Sequence, residues 1–371
     1  MKILFTGGGT AGHVFPIVAI IREIRKSYPY SGFDFFYLGP RDKFSKEIFK
    51  KENVEVKTVL TGKLRRYFSF KNIIDFFKLP FGLIQAFYYL FIISPDVIFS
   101  KGGYGSMPAV IAAWILRVPI FLHESDVVPG LANKIASKFA LEVFISFPIN
   151  KTEYFPVKKI LSVGSPVRKE ILAGSKKEAE NLFNLTKEKP VLLILGGSQG
   201  AQRINDNLLA ILPEILRDFE IILQTGKANL EQIKKESDIV ITQDHKRYYH
   251  PIGFLDEQEL ASAYAAADLI ISRAGGGTIF EIAAVGKPSI LVPLPESAQN
   301  HQVKNAYAFS ENGSCMVIEE TNFRPHFILE RIKYLFSQPQ VLSEMRKRAK
   351  EFSRPGASRI IAEYLVTYLN Q

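Results

Sequence analysis

Residues 268–309 read DLIISRAGGGTIFEIAAVGKPSILVPLPESAQNHQVKNAYAF, and this stretch decides the fold. Leu269, Ile270 and Ile271 form a short apolar run between Asp268 and the glycines Gly275, Gly276 and Gly277, the pattern of a buried parallel strand entering a glycine turn. Thr278 followed three residues later by Glu281 has capping-box spacing, and Ile279, Ile282 and Ala283 supply an apolar helix face. Gly286 stops that helix, Pro288 follows, and residues 289–292 make the next buried strand. Strand, glycine turn, helix and strand in about 25 residues are the unit of a doubly wound α/β sheet.

Glycines let backbone approach a ligand closely, and a helix N-terminus offers unpaired N–H groups with roughly half a positive charge, so the turn suits a phosphate. Glu281 at the same end competes with an anion but accepts hydrogen bonds from sugar hydroxyls, and a nucleotide presents both partners. The same carboxylate also fits a plain helix cap, and the spacing leaves the two readings even.

A chain of 371 residues, 47% hydrophobic and 23% charged, is too long for one core and too apolar for disorder, which predicts two domains. The single cysteine, Cys315, excludes an internal disulfide and a cysteine-rich zinc site. Residues 1–9 lack the apolar run of a secretion signal, so the expected compartment is the cytoplasm. A net charge of +10 implies an acidic partner.

The first half repeats the pattern. Residues 2–5 form a strand, TGGGTAG at 6–12 a glycine turn, and an apolar helix follows His13 near Pro16. Gly7, Gly9 and Gly12 match GxGxxG, but the acid a dinucleotide site needs at the end of its second strand is displaced: Asp34 precedes that strand. A third turn, KGGYGS at 101–106, follows the strand at 97–99, and the strand at 119–122 leads into His123, Glu124, Ser125 and Asp126, where parallel sheets present a crevice. His123 has no ligand-spaced partner and is read as structural or orienting. The second half reopens with a strand at 191–195, Gly196, Gly197, Ser198, Gln199 and Gly200, and a helix carrying Ile204, Leu208, Ile211, Leu212 and Ile215. Two doubly wound Rossmann-like domains facing a cleft are the economical architecture.

Between residues 57 and 78 lie Lys57, Lys63, Arg65, Arg66, Lys71 and Lys78 against one acid, Asp75, interleaved with Tyr67, Phe68, Phe70, Phe76 and Phe77. The uncharged run at 79–95 holds Pro80, Gly82, Gln85 and Pro95, which shorten it below the roughly 20 residues a spanning helix needs. Basic charge beside aromatic bulk suits a segment lying on an anionic leaflet. The alternative is that Ile84, Phe87, Tyr88 and Phe91 face the core. No nucleic-acid module accompanies the aromatics, so nucleic acid is not an expected partner.

GGTAGHVFP (8–16), KGGYGSMPAV (101–110), HESDVVPGLANK (123–134), GSPVR (164–168) and GGSQGAQRIN (196–205), with the stretch at 268–309, resemble the MurG glycosyltransferases over nearly the whole chain. The resemblance implies a GT-B fold with an acceptor and membrane-associating domain at 1–163, a UDP-sugar domain at 164–350, and a terminal helix at 351–371 packing back on the first. It implies inverting transfer of N-acetylglucosamine from UDP-N-acetylglucosamine to the undecaprenyl-linked muramyl-pentapeptide, lipid I, giving lipid II at the cytoplasmic face of the inner membrane, with contacts to other cell-wall enzymes. Another GT-B glycolipid glycosyltransferase or a UDP-sugar epimerase is the alternative.

Carried over by position, the resemblance puts Thr10, Ala11 and Gly12 near phosphates and Arg168 and Ser198 on UDP. It puts Leu255 against uracil, Gly276, Gly277 and Thr278 on diphosphate and ribose, Glu281 on the ribose hydroxyls and Gln302 on the sugar. This chain departs from the family pattern at Ala11, where glycine is usual, and at Asp126 and Ser165, where asparagine is usual. With no Asp-x-Asp pair in the sequence, helix N-termini and Arg168 are expected to stabilise the leaving diphosphate without a metal or cofactor. His13, whose ordinary pKa lies near neutrality, is the first candidate base, with phosphate orientation as its alternative role; Asp126 is the second candidate.

Overall fold

The computed structural model describes residues 1–62, 70–148, 154–196 and 201–371, with backbone alone at 70–77. Ser198, with Gly197, Gln199 and Gly200, lies outside the described residues, as do Lys63, Arg65, Arg66, Tyr67 and Phe68 and the side chains of Phe70, Lys71, Asp75, Phe76 and Phe77. The chain forms two compact units, Met1–Arg168 with Arg354–Gln371, and Lys169–Ser353.

In the first unit, strands β1 (Lys2–Thr6), β2 (Asp34–Gly39), β3 (Glu55–Thr58), β4 (Val97–Ser100), β5 (Ile120–Glu124), β6 (Glu142–Ile145) and β7 (Ile160–Ser162) form one sheet in the order β3-β2-β1-β4-β5-β6-β7. Every pairing is parallel. Side chains alternate across the sheet, so Ile3 and Phe5 enter one buried cluster and Leu4 the other. The first cluster takes Ile17, Ile20, Ile21 and Ile24 from the helix Ala11–Ser27 and Ile361, Ala362, Leu365 and Val366 from the helix Ala357–Leu369. Covering both faces is what permits such apolar strands.

The helix Ala11–Ser27 begins five residues before Pro16, so the expected start near Pro16 is corrected: Thr10 is its N-cap and His13 lies in its first turn. The helix Phe70–Ile93 corrects the core-facing alternative for Ile84, Tyr88 and Phe91. Those residues are 65%, 61% and 78% exposed, whereas Ala86, Leu90 and Ile93 are buried. The apolar excess allowed either face to be chosen, and packing took Ala86, Leu90 and Ile93 into one cluster with Ala109, Val110, Ala112 and Ala113 of the helix Met107–Ile115. No helix among the described residues is long and apolar enough to cross a membrane.

The second unit holds β8 (Val191–Leu195), β9 (Glu220–Gln224), β10 (Tyr249–Ile252), β11 (Leu269–Ser272), β12 (Ser289–Leu291) and β13 (Met316–Val317), in the order β10-β9-β8-β11-β12-β13. These pairings are parallel too. The helix Gln202–Asp218 buries Ile204, Leu208, Ile211, Leu212 and Ile215, the face its sequence spacing marks. Both units are doubly wound, and strand order reverses between β1 and β4 in one and between β8 and β11 in the other. Crevices at the carboxyl ends of such neighbours are where open α/β sheets bind ligands.

Candidate active site

At the first switch point the turns after β1 and β4 close around His13. Thr10 Oγ1 and His13 Nδ1 are 2.7 Å apart. An ideal Cβ on Gly8 would stand 2.9 Å from His13 Nδ1, and one on Gly103 3.0 Å from Nε2. Glycine is therefore required on both sides of the imidazole. Tyr37 Oη donates to Gly7 O at 3.1 Å, and Lys101 N–H donates to Thr6 O at 2.8 Å, which fixes the turns to each other. His13 itself is half-buried among these groups. Burial, reinforced by the Lys101 ammonium, pushes it down from 6.5 to about 3, so the ring is neutral at physiological pH.

Thr10 and Gly12 are exposed at this helix N-terminus, and a Cβ on Gly12 would meet no atom within 4 Å. Glycine in a first turn costs roughly 1 kcal/mol relative to alanine, and here the protein's own packing does not demand it. The exposed N–H face is open, the arrangement that suits an anion.

Behind it lies a charged cluster that the candidate set from sequence omitted. Lys101 is 2% exposed and its ammonium donates to Ser125 Oγ at 3.0 Å. Burial lowers its pKa against the opposing pull of Glu124 and Asp126. Glu124 accepts from Asp126 N–H at 2.9 Å and Asn133 Nδ2 at 2.8 Å, and burial, then the Asp126 charge, raises its pKa. The signal was visible as a polar run at the end of β5, but Lys101 read only as the start of a glycine turn. Asp126 is half-buried beside this cluster. His123 is fully buried, with Nε2 3.2 Å from both Gly164 O and Ser146 Oγ, which gives it the structural role. Arg168 also belongs to this unit, buried with its guanidinium 3.6 Å from the centre of the Phe15 ring.

At the second switch point the helix Gly276–Val285 starts directly after Gly275. The capping box proposed for Thr278 and Glu281 is corrected: Gly275 is the N-cap, no side chain caps the helix, and Thr278 is already its third residue. Glu281 instead accepts from Tyr264 Oη at 3.2 Å through one carboxylate oxygen. Cβ atoms on Gly275 and Gly277 would meet nothing within 4 Å, so these glycines also leave open space at a helix N-terminus. Gly276, Gly277, Thr278 and Glu281 are thus brought together on one short helix.

Gln302 lies on the helix His301–Ser310, and its Oε1 accepts from Leu294 N–H at 3.0 Å, which leaves its side-chain amide N–H groups for a ligand. Leu255 is 2% exposed and its N–H donates to Gln224 Oε1 at 3.2 Å, so the side chain expected against uracil is enclosed by the protein. Neighbouring Phe254 is half-buried, with Lys227 Nζ 5.4 Å from its ring centre. Among the described residues no group of three or more His, Cys, Asp or Glu side chains is placed to hold a metal ion.

The N-terminal domain model of glycosyltransferase family 28 matches residues 3–145, and the C-terminal domain model of the same family matches residues 191–360. The chain belongs to glycosyltransferase family 28. Among its family-28 relatives, a Bacillus thuringiensis (strain Al Hakam) protein is 39% identical over 335 residues, 90% of this chain and 91% of its own. It is named UDP-N-acetylglucosamine–N-acetylmuramyl-(pentapeptide) pyrophosphoryl-undecaprenol N-acetylglucosamine transferase 3. A Clostridium perfringens transferase of the same name, without the numeral, is 41% identical over 335 residues, 90% of each chain. The crystal structure of Acinetobacter baumannii MurG superposes with a TM-score of 0.73 at 24% identity over 99% of both chains, a likeness of fold.

Proposed function

We propose that this chain transfers N-acetylglucosamine from UDP-N-acetylglucosamine to undecaprenyl-pyrophosphoryl-N-acetylmuramyl-pentapeptide, lipid I, forming the β-1,4 linkage of lipid II with inversion. The observation that carries the reading is that relatives named for this transfer match 90% of the chain, with both halves of the family-28 pattern present. The acceptor hydroxyl oxygen bonds to the anomeric carbon as that carbon's bond to the diphosphate breaks. The electron pair leaves on UDP, and the hydroxyl proton passes to a base.

In the second unit, the N–H groups around Gly276, Gly277 and Thr278 receive the diphosphate, Glu281 the ribose hydroxyls, and Gln302 the sugar, with Ser198 on the UDP portion; Arg168, a residue of the first unit, is the further UDP contact that the family resemblance implies. The open space at Gly275 and Gly277 supports this reading, because a phosphate needs backbone at close range. In the first unit, Thr10, Ala11 and Gly12 face a phosphate and His13 is the base. In the tautomer that donates Nδ1–H to Thr10 Oγ1, Nε2 carries the lone pair that takes the proton. A bound diphosphate opposes the effect of Lys101 and raises the ring toward a useful basicity. Asp126 is the second candidate. The leaving charge is met by helix N-termini and Arg168, without an essential metal.

The enzyme works as a peripheral protein at the cytoplasmic face of the inner membrane, reaching the lipid-linked acceptor through the face that bears Phe81, Ile84, Tyr88 and Phe91. Their 61–78% exposure supports this, since such bulk without a cover loses the gain of burial. The test is transfer of labelled sugar to a short-chain lipid I analogue, in chelator and with added magnesium, by wild type, His13→Ala and Glu281→Ala. Turnover in chelator that Glu281→Ala abolishes supports the assignment. Binding of UDP-sugar without transfer in either condition would point to a different acceptor.

A further inference from the structure

An alternating chain of charge runs along the carboxyl ends of the second sheet. Arg203, at the start of the helix Gln202–Asp218, donates from Nη1 to Glu320 Oε2 at 2.5 Å and from Nη2 to Glu296 Oε1 at 2.9 Å. Glu320 also accepts from Arg273, whose Nη1 donates to Val292 O at 3.2 Å. The chain has a buried end and an open end: the side chains of Glu320 and Arg273 are 7% and 15% exposed, those of Arg203 and Glu296 58% and 59%. It joins the helix after β8, the turn after β11 and the segment after β12.

That last segment, residues 293–300, is held in a conformation its residues do not favour. Gln299 (φ 57, ψ 24) and Asn300 (φ 54, ψ 30) are consecutive left-handed residues; asparagine adopts that region readily, but glutamine does not, so the strain sits at Gln299. Strain of this kind persists where surroundings over-determine the backbone. Ser297 N–H donates to Leu294 O, Asn300 N–H to Ser297 O, Gln302 N–H to Ser297 Oγ, and Leu294 N–H to Gln302 Oε1. These bonds close the loop on itself and on Gln302. The Glu296–Arg203 pair ties it to a different element.

We propose that Arg203 and Glu296 are positioning residues for the sugar portion of the donor, a clamp that holds the 293–300 loop and sets the direction of Gln302. The inference rests on the donor site lying in the second unit. Arginine suits the task because its planar fork engages two carboxylates at once. The clamp acts on the sugar more than on UDP, because Glu296 sits on the loop leading into Gln302, while Glu281 and Thr278 stand on the separate helix Gly276–Val285.

The experiment measures dissociation constants of UDP and of UDP-N-acetylglucosamine, with steady-state kinetics, for the full-length wild type, Glu296→Gln, Arg203→Met and the double variant. Each single change is expected to weaken UDP-N-acetylglucosamine by roughly three- to tenfold, the scale of an exposed ion pair plus reordering of one loop. UDP should change by less than about twofold, and the double variant should match Arg203→Met, which already loses the Glu296 pair together with the Glu320 contact. High salt should reduce the wild type toward the variants. Gln299→Gly in the Glu296→Gln background should restore part of the sugar affinity, since glycine adopts the left-handed conformation without the clamp. Unchanged UDP-N-acetylglucosamine affinity in both singles would overturn the clamp, as would equal losses for both ligands accompanied by a lower melting temperature. Glu281→Ala measured alongside reads the underlying assignment: if it leaves UDP affinity unchanged, the donor site itself is misplaced.

Discussion

Replacing Gly103 with alanine separates two effects at the turn that encloses His13. Gly103 has φ 82 and ψ 164, a region essentially confined to glycine, where another residue carries about 1–3 kcal/mol of strain. The new Cβ would also lie 3.0 Å from His13 Nε2 and 3.4 Å from Gly8 N, so it must displace the imidazole or the first glycine turn. The backbone strain alone corresponds to a loss of roughly 2–12 °C in melting temperature for a unit of this size. It persists whatever occupies position 13, whereas the steric part vanishes once the ring is removed. Calorimetry and turnover on wild type, Gly103→Ala, His13→Ala and the double variant resolve the two. The loss caused by Gly103→Ala should be smaller in the His13→Ala background, and the double variant should turn over no more slowly than His13→Ala alone. Equal melting losses in both backgrounds, with Gly103→Ala still fully active, would show that the turn does not press on the ring and that its orientation is immaterial.

Three further outcomes follow from the same geometry. Glu281→Ala should weaken UDP by roughly 10- to 150-fold, the scale of hydrogen bonds to a charged acceptor, and also destabilise the chain by removing the carboxylate to which Tyr264 Oη donates, whereas Glu281→Gln should restore much of the stability; indistinguishable UDP titrations for wild type and Glu281→Ala would refute the ribose role. His13 titrates at about 3 when folded and 6.5 in its ordinary state, so the unfolded chain takes up the proton first; stability from the neutral ring is complete above about pH 6.5 and lost as pH falls toward 3, and wild type should lose melting temperature more steeply than His13→Gln between about pH 7 and 4, with parallel curves counting against it. Phe91→Ser should reduce partitioning onto anionic vesicles by about tenfold or more, as expected for losing about 1.5–3 kcal/mol of aromatic burial, with an unchanged melting temperature because Phe91 is 78% exposed in the free chain; equal partitioning would remove this helix from the membrane face.

The doubly wound pattern was legible because its signals are local: an apolar run such as residues 269–271, a glycine turn, and helical spacing such as Ile204, Leu208 and Ile211. What local pattern could not decide was which of several adequate faces would be buried. In the helix Phe70–Ile93 nearly every residue is apolar, so periodicity does not distinguish Ile84 and Tyr88 from Ala86 and Leu90; the neighbouring helix does. Capping signals failed for a related reason. Thr278 and Glu281 carry the right spacing, but the glycines before them continue the helix to Gly276, so the box falls inside it. Lys101 and Glu124 lie on different strand ends more than twenty positions apart, and only the order β4-β5 makes them neighbours. The Arg203–Glu296–Glu320 chain is beyond sequence reading for the same reason.

The helix Ala357–Leu369 has a consequence for the order in which this chain matures. Its Ile361, Ala362, Leu365 and Val366 share a cluster with Ile3, Phe5 and Ile17, although residues 169–353 separate them in sequence. During synthesis the interior unit is complete first, while the unit whose residues emerged earliest still lacks one layer of its interior. A ribosome paused before residue 354 would hold a finished second unit joined to an open sheet with exposed isoleucines and phenylalanines, the kind of surface that recruits chaperones or aggregates. The last strand of control over the first glycine turns is therefore temporal: the scaffold carrying His13 closes only after everything between has been made.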